Sequence, residues 1–404
     1  MSILQKADPV GIDLGTFSLK AVQLKRSAGK VQLAKWDAEP TPEGAIDGGM
    51  IRDVELLGGK LADLLNRMEL RKPKIITAIG GQQVFTRTLL MPVIPRSDMA
   101  AAIQFQLEGI LPIPIQEAVI DFSVLGIQQT AEGERAEILI VATRKAIIEQ
   151  LVAVCNRAQA LILAIEIGPL ALNRCLYPHH RPIELPAKIK DGWLARWKRG
   201  KTASLLRAES GRFQVRKAAV TATSVPAVEN QLSAEDENQY PEAAGSIAGK
   251  GVLYLNLGHN SVQFSLFQDQ VMRFTRTISH GGIRFISALA AERDLSMNEA
   301  LELMRQGTSP ASTETIMSDI IGEVWRSIEY FQQHNPGLTV AEVILTGGAA
   351  RLSNWPDFLR ERLPVPVNPL DPLQHIAVKS SPEEIRELQN SYGIALGLAL
   401  REVI

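Results

Sequence analysis

The chain has 404 residues, which is enough for two or three domains with substantial buried cores. Its 43 lysines and arginines nearly balance its 44 aspartates and glutamates, so the formal net charge of -1 excludes a protein built to coat nucleic acid. The most apolar long stretch, 151–172, contains Arg157, Glu166 and Pro169, and therefore falls short of the roughly 20 apolar residues that a membrane span needs.

Two features indicate the compartment in which the chain folds. Cys155 and Cys175 lie in apolar helical stretches without the spacing of metal ligands, so we expect reduced core thiols and a reducing compartment. Strand-like sequence begins at Val10, and no apolar signal region precedes it. We therefore expect a chain that is not secreted.

Three strands begin the chain and an α/β segment follows them. The strands are predicted over 10–13, 19–25 and 31–36. After a connection rich in Pro and Gly, the pattern predicts a helix over 54–68, strands over 75–79 and 84–91, a helix over 98–110 capped by Ser97, and strands over 119–126 and 137–142. We interpret 38–142 as a small α/β subdomain inserted into the first domain.

The chain then returns to the first domain and leaves it again. A helix over 145–158 and a strand over 161–167 lead to a helix that begins at Pro169, where proline suits the first turn. Residues 177–250 combine prolines, charge runs and few large apolar residues, and we predict a long, partly disordered insertion there.

Ordered sequence resumes at Gly251. A hairpin and strands through 278 are followed by helices over 283–293, 296–305 and 316–334, a short buried strand over 343–345, and helices over 355–362 and 383–402. Tyr392, Leu396 and Leu400 share one face of the last helix, so we expect it to pack back on an earlier domain.

Two hairpin sequences far apart in the chain are similar. Val10 to Val22 reads V-G-I-D-L-G-T-F-S-L-K-A-V, and Leu253 to Ser265 reads L-Y-L-N-L-G-H-N-S-V-Q-F-S. Aligning Asp13 with Asn256 also aligns Gly15 with Gly258. The repeat predicts two related halves, each presenting a glycine turn to a ligand held between them.

The first turn has the residues of a phosphate site. Gly15 lets the backbone approach a phosphate, and the amides of 14–17 can donate to it. Asp13 would hold Mg²⁺ through water, Thr16 adds a hydroxyl, and Lys20 adds a cation. An ordinary turn is the alternative, because turns use the same residues.

A third glycine element favours the phosphate site over an ordinary turn. In V-I-L-T-G-G-A-A-R-L, from Val343 to Leu352, a buried strand ends in Gly347 and Gly348, whose missing side chains leave room for a flat ring or a ribose. A strand that simply leaves the sheet is the alternative. Three such elements in this order are far less probable by chance than one.

With these three elements the chain resembles the actin-like ATPase superfamily of actin, FtsA and MreB. Within it, the chain resembles the PilM-like proteins of type IV pilus assembly in three segments: L-E-G-I-L-P-I-P-I-Q-E-A-V-I-D-F over 107–122, E-V-W-R-S-I-E-Y-F over 323–331 and G-G-A-A-R-L-S-N-W-P-D-F-L over 347–359. This resemblance covers nearly the whole chain except 177–250.

The resemblance implies an α/β fold of the actin-like, ribonuclease H-like kind, with a nucleotide cleft between two domains. Domain I then comprises 8–37, 143–176 and 375–404, and domain II comprises 251–374. The resemblance also implies ATP and Mg²⁺ as ligands. By this resemblance, the phosphate residues are Asp13, Gly15, Thr16, Lys20, Asn256 and Gly258, and the adenosine residues are Gly281, Gly282, Arg305, Gly347 and Gly348.

The same resemblance implies a scaffold function. The expected partner is the cytoplasmic N-terminal tail of a PilN-like inner-membrane protein, bound in a groove that the inserted subdomain helps to form, together with the pilus assembly platform and its motor. No nucleic acid partner is expected. The chain would be cytoplasmic and peripheral to the inner membrane through its partners.

Several positions depart from the pattern of the family. Where PilM-like chains typically read E-P-F-A-L, this chain reads G-P-L-A-L from Gly168, so the water-orienting carboxylate is a glycine. Strand alternation would put Glu166 on the same face as a substitute. Asn256 replaces an aspartate of the second turn, and Leu301 replaces a glutamate near the adenine. We therefore expect nucleotide binding with weak hydrolysis.

The predicted insertion contains a basic segment. Eleven basic and three acidic residues lie between 181 and 217, and Trp193 and Trp197 have helical spacing there. A short helix on an anionic membrane surface is one interpretation, and a solvated loop is the other.

Two other functions share this fold. An actin-fold small-metabolite kinase would need a catalytic aspartate, which Gly168 and Asn256 do not supply. A type II secretion L-like cytoplasmic scaffold would usually continue into a transmembrane helix, and this sequence reaches Ile404 without one.

Overall fold

The computed structural model describes residues 8–27, 29–178, 206–207, 249–334, 337–352 and 354–403. The strands are β1 (Val10–Leu14), β2 (Ser18–Ser27), β3 (Lys30–Pro40), β4 (Ile46–Asp47), β5 (Met50–Ile51), β6 (Lys74–Ile79), β7 (Val84–Pro92), β8 (Ala118–Thr130), β9 (Gly133–Arg144), β10 (Leu161–Ile167), β11 (Leu206–Arg207), β12 (Gly249–Leu257), β13 (Val262–Gln268), β14 (Val271–Ile278), β15 (Leu338–Thr346) and β16 (Val367–Pro369). The α-helices are α1 (Val54–Arg67), α2 (Arg96–Leu107), α3 (Lys145–Arg157), α4 (Gly168–Leu176), α5 (Ile283–Arg293), α6 (Met297–Arg305), α7 (Thr313–His334), α8 (Trp355–Arg362), α9 (Pro382–Ser391) and α10 (Gly393–Leu400).

Two sheets with the same topology form the framework. In the first half the order is β11-β10-β6-β1-β2-β3, and in the second half it is β14-β13-β12-β15-β16. In each half three antiparallel strands from two consecutive hairpins continue into two parallel strands. The repeat predicted from the two hairpin sequences is therefore a repeat of five strands.

The inserted subdomain is smaller than predicted. Strand β6 lies between β1 and β10 and pairs with both in parallel, so it belongs to the sheet of domain I. Helix α1 packs against α3 of the same domain. The insertion proper is the three-stranded sheet β7-β9-β8 with α2, which has its own core around Met99, Ile103 and Ile138. The predicted boundary at residue 38 was wrong because helix α1 and strand β6 complete the parallel part of the first sheet.

The C-terminal residues form two helices where one was predicted over 383–402. Helix α9 ends at Ser391 and α10 begins at Gly393, with Tyr392 (φ -108°, ψ 10°) at the break. Helix α10 packs on β1 and α4. A Cβ on Gly397 would lie 1.9 Å from the carbonyl oxygen of Ala171, so the two backbones approach too closely for any side chain. Because of this change of direction at Tyr392, α10 packs against the core of domain I.

Other predicted elements differ in detail. The residue that precedes α2 is Pro95, with no side-chain cap, and Ser97 lies inside the helix. Strand β15 is longer than the predicted 343–345 because it pairs with β12 from residue 338 onward. Cys155 and Cys175 are buried free thiols, as predicted, and burial raises the pKa of each to about 12. Trp193 and Trp197 lie outside the described residues.

A buried hydrogen bond between side chains joins the two halves. Tyr254 of domain II donates a hydrogen bond from its hydroxyl to Oδ1 of Asn173 at 3.1 Å, and both residues are buried. Its apolar body packs in the core of domain I. Within the described part of the chain, no helix has both the length and the apolar character needed to cross a bilayer.

Candidate functional site

A cavity of about 920 Å³ lies between the two halves. Its lining includes most residues that the sequence singled out: Asp13, Gly15, Thr16, Lys20, Asn256, Gly258, Arg305, Gly347 and Gly348. They come from the turn after β1, the turn after β12, the exit of β15 and the end of α6. Four segments spread between residues 13 and 348 therefore converge on one cavity.

The two glycine turns have the same geometry. Asp13 pairs with Lys20 across β1 and β2, and Asn256 pairs with Gln263 across β12 and β13. A Cβ on Gly15 would lie 2.8 Å from the carbonyl oxygen of Ser18, and a Cβ on Gly258 would lie 2.8 Å from that of Ser261. Each turn therefore requires glycine for the same steric reason.

The charges of the two turns differ. The first turn carries the Asp13 and Lys20 pair, whereas the matching positions of the second turn are the neutral amides Asn256 and Gln263. Burial raises the pKa of the Asp13 carboxyl, and the nearby Lys20 opposes that shift. Burial thus disfavours the ionised form of the Asp13 carboxyl. Carboxyl groups whose pKa is perturbed in this way are typical of ligand-binding sites.

The third glycine element closes the end of the cavity. Gly347 has a φ of 97°, and a Cβ there would lie 2.3 Å from the carbonyl oxygen of Leu257 and 2.5 Å from Oδ1 of Asn256. A Cβ on Gly348 would meet only Oγ of Ser391, at 3.8 Å. Gly347 is therefore required for packing on the second turn, and Gly348 leaves open space beside the cavity.

Gly281 and Gly282 lie behind the second turn and are not among the residues that line the cavity. The amide of Gly282 donates to the carbonyl oxygen of Gly258 at 2.9 Å, and that of Ile283 donates to His259 at 2.8 Å. A Cβ on Gly281 would lie 2.4 Å from the carbonyl oxygen of His259. The structure places these two glycines as supports of the second turn.

Glu166 does not share the cleft face of Gly168, contrary to the alternation argument. Its side chain is fully buried and forms ion pairs with Arg174, at 3.0 Å, and with Arg401. Arg174 also donates to the carbonyl oxygen of Gly397 at 2.7 Å. These partners hold the carboxylate between α4 and the C-terminal helix, so it cannot act on a ligand in the cavity.

Two features of the cleft were missed from the sequence. Phe17 and His259 stand at the tips of the two turns with ring centroids 5.1 Å apart, and Arg305 lies 5.9 Å from the Phe17 ring. Gln263 lines the cavity beside Gly168. Spacing could have identified Gln263, because it follows Asn256 by the same interval as Lys20 follows Asp13.

The site suits Mg²⁺ held mainly by water. Among the described residues no group of three or more His, Cys, Asp or Glu side chains comes together as a metal cage. A single half-buried carboxylate beside glycine amides is an arrangement with which Mg²⁺ can bind together with phosphates. Asp13 thus fits a hydrated ion that arrives with a phosphate ligand.

Comparison with known proteins gives a family and a fold. A sequence model described as "Type IV pilus assembly protein PilM" matches residues 11–193 and 217–403. The chain is similar to a solved structure, the "PilM-PilN type IV pilus biogenesis complex", at 22% identity over 98% of this chain and 99% of that one, with a TM-score of 0.70. The predicted actin-like α/β fold is confirmed.

Two further solved structures are more distant. The ethanolamine utilization protein EutJ from Carboxydothermus hydrogenoformans is 13% identical over 98% of this chain and 90% of that one, with a TM-score of 0.46. MreB 5 of Spiroplasma citri bound to AMPPNP is 9% identical over 91% of this chain and 92% of that one, with a TM-score of 0.41.

Proposed function

Because the chain belongs to the family of type IV pilus assembly proteins PilM, we propose that it is a nucleotide-binding scaffold that binds the N-terminal tail of a PilN-like inner-membrane partner. The observation that carries the nucleotide part is the pair of matched glycine turns facing one cavity. Its volume of about 920 Å³ suits a ligand of the size of ATP. Family membership favours this function over the kinase and the type II secretion alternatives.

Different residues of the chain bind the phosphates, the Mg²⁺ ion and the nucleoside. Backbone amides at the Gly15 and Gly258 turns donate to phosphates from opposite sides, and Lys20 adds a positive charge on the side of domain I. Asp13 would hold Mg²⁺ through water, and the ion would neutralise part of the phosphate charge. The open face at Gly348 and the Arg305 side chain receive the nucleoside.

Slow hydrolysis follows from the neutral character of the second half. Gly168 offers no side chain to the cleft, and Asn256 and Gln263 bring no charge. The nearest glutamate along the chain, Glu166, is held by two arginines away from the cavity. Without a carboxylate to accept a proton at this wall, the site supports binding more strongly than turnover.

The groove for the partner lies between domain I and the inserted subdomain. Helix α3 of domain I contacts β5 and the inserted strands β8 and β9, which places it at this junction. Among the described strands, β8 is an edge of its sheet, so its outer backbone groups can pair with an extended peptide. A solved relative is named as a PilM-PilN complex, which supports a tail of the PilN kind.

The remaining assignments complete this proposal. Binding to an inner-membrane tail makes the chain peripheral to that membrane on the cytoplasmic side, next to the pilus platform and its motor. A direct membrane contact through Trp193 and Trp197 stays a separate prediction. Co-sedimentation with anionic liposomes tests it, since equal pelleting of the wild type and the double alanine variant excludes this segment as an anchor.

The test is a titration of synthetic N-terminal peptides of candidate inner-membrane partners, with and without MgATP. We expect saturable binding of one peptide and no binding of its scrambled control. A fluorescent ATP analogue is titrated in parallel, and Asp13→Ala should weaken it while leaving the peptide bound. Absence of saturable ATP binding by the wild type contradicts the nucleotide part of the proposal. Absence of peptide binding contradicts the partner part.

A further inference from the structure

The cleft wall at Gly168 is completed by a side chain from the opposite half. Gly168 is the first residue of α4 and lines the cavity. A Cβ at this position would lie 3.3 Å from Oε1 of Gln263 and 3.3 Å from Cδ1 of Ile394. The carboxamide of Gln263 therefore occupies the space that a side chain at position 168 would enter.

The orientation of this amide is fixed from within domain II. Gln263 lies on β13 as the counterpart of Lys20 in the first half, and its side chain is half-buried. Its Nε2 donates to Oγ1 of Thr277 on the neighbouring strand at 3.4 Å. Because the NH₂ group is engaged there, Oε1 points across the cleft toward Gly168.

The chemistry of a carboxamide sets what this residue can do. Its oxygen accepts a hydrogen bond and can hold a water molecule in one orientation. It is uncharged and does not take up a proton at neutral pH, unlike the carboxylates that act as general bases. The residue can thus position a water without activating it strongly, in accord with slow turnover.

We propose that Gln263 is the positioning residue for the attacking water in this cleft and performs, from domain II, the task of a side chain at position 168. The inference rests on the proposed function, because it requires ATP between the two turns. The water oxygen forms a bond to the γ-phosphorus, and the bond from that phosphorus to the bridging oxygen breaks. Its electron pair stays on ADP, and the proton of the water passes to the released phosphate.

The first test compares cleavage and binding in the full chain. Radiolabelled ATP is followed under single-turnover conditions, and a fluorescent ATP analogue gives the affinity. We expect Gln263→Ala to lower the cleavage rate constant about 10- to 100-fold, the size of effect that misplacement of a reactant produces. The affinity should change little. Gln263→Met keeps the volume of the side chain and should give the same result. Gln333→Ala, at an exposed glutamine of α7 that does not line the cavity, should leave the rate unchanged.

The second test is a rescue that a merely structural role would not produce. The backbone of Gly168 lies outside the left-handed region, and once the Gln263 amide is removed the remaining tight contact of a Cβ is the flexible Cδ1 end of Ile394 at 3.3 Å, which can shift to admit a side chain. Gly168→Gln in the Gln263→Ala background should recover a large part of the lost rate. Equal cleavage by Gln263→Ala and the wild type overturns the inference, as does a parallel loss of affinity or a wild type that binds ATP without cleaving it. Failure of the wild type to bind ATP refutes the proposed function instead.

Discussion

The buried carboxylate of Glu166 provides a test of whether this glutamate is structural or catalytic. Its side chain is fully buried, and its partners Arg174 and Arg401 are 11% and 3% exposed. Burial lowers the pKa of each arginine to about 10, so both remain charged at neutral pH. Glu166→Gln keeps the shape of the side chain but removes the charge that compensates two buried guanidinium groups.

The expected decrease in the free energy of unfolding depends on the partners that the two arginines keep. Removing one partner of a buried ion pair costs about 3–5 kcal/mol. Arg401 keeps Glu402 at 4.0 Å, and Arg174 keeps the carbonyl oxygen of Gly397 at 2.7 Å. We therefore expect a value near the lower end, about 3 kcal/mol, in the free energy of unfolding.

The assay is urea-induced unfolding followed by circular dichroism, with ATP binding measured on the folded variant. A matched control is Glu55→Gln, because Glu55 forms a 2.9 Å pair with Arg157 but is 79% exposed. Such exposed pairs contribute about 0–1 kcal/mol, so the control should remain close to the wild type. If Glu166→Gln unfolds like the wild type and yet loses ATP cleavage, the carboxylate is catalytic and the structural reasoning is wrong.

Three further changes, the last with a matched control, probe the cleft and the packing behind it. Burial raises the pKa of Asp13 above its unfolded value, so its ionised form destabilises the fold as the pH rises through these two values. Asp13→Asn should thus raise the thermal midpoint of the nucleotide-free protein at neutral pH and abolish the Mg²⁺-dependent gain in ATP affinity; a lower midpoint contradicts this reasoning. Phe17→Ala removes the 5.1 Å contact with the His259 ring that links the two turns, and should speed nucleotide dissociation in stopped-flow experiments; an unchanged rate excludes that link. Gly397→Ala, whose Cβ would meet a carbonyl oxygen of α4 at 1.9 Å, should destabilise domain I by about 1–3 kcal/mol or more in urea. Gly59→Ala faces open space in helix α1 and should stabilise the chain by about 0.5–1 kcal/mol; equal effects of the two glycine substitutions would show that the close helix contact is absent.

Local sequence predicted the elements well where one pattern dominated. The strand over 161–167 and the helices over 283–293 and 355–362 have the predicted bounds. A glycine or proline lies within two residues of an end of each element, at Gly168, Gly282 and Pro364. The single helix predicted over 383–402 was wrong, since the apolar pattern runs through Tyr392 although the backbone turns there. Periodicity records which residues are buried, but it does not record a change of direction between two helices.

The placement of β6 shows the same limit at the level of domains. The sequence around 75–79 is that of any buried strand, and chain order alone favoured assigning it to the insertion. Its parallel pairing with β1 and β10 depends on contacts across large separations in the chain. Long-range pairing of this kind leaves no local signal, because a buried parallel strand is apolar on both faces wherever it lies.

The sequence by itself determined the two glycine turns, the diglycine after β15 and the loss of charge from Asp13 to Asn256, because glycine turns and cross-strand pairs are local and depend on fixed spacing. Only the tertiary structure decided which polar groups face the cavity. The sequence made Glu166 a candidate catalyst and did not single out Gln263. In the structure, ion pairs with Arg174 and Arg401 hold Glu166 away from the cavity, whereas packing of the two halves brings Gln263 next to Gly168. The direction of a side chain is set by the partners that packing brings to it, and those partners come from distant parts of the chain.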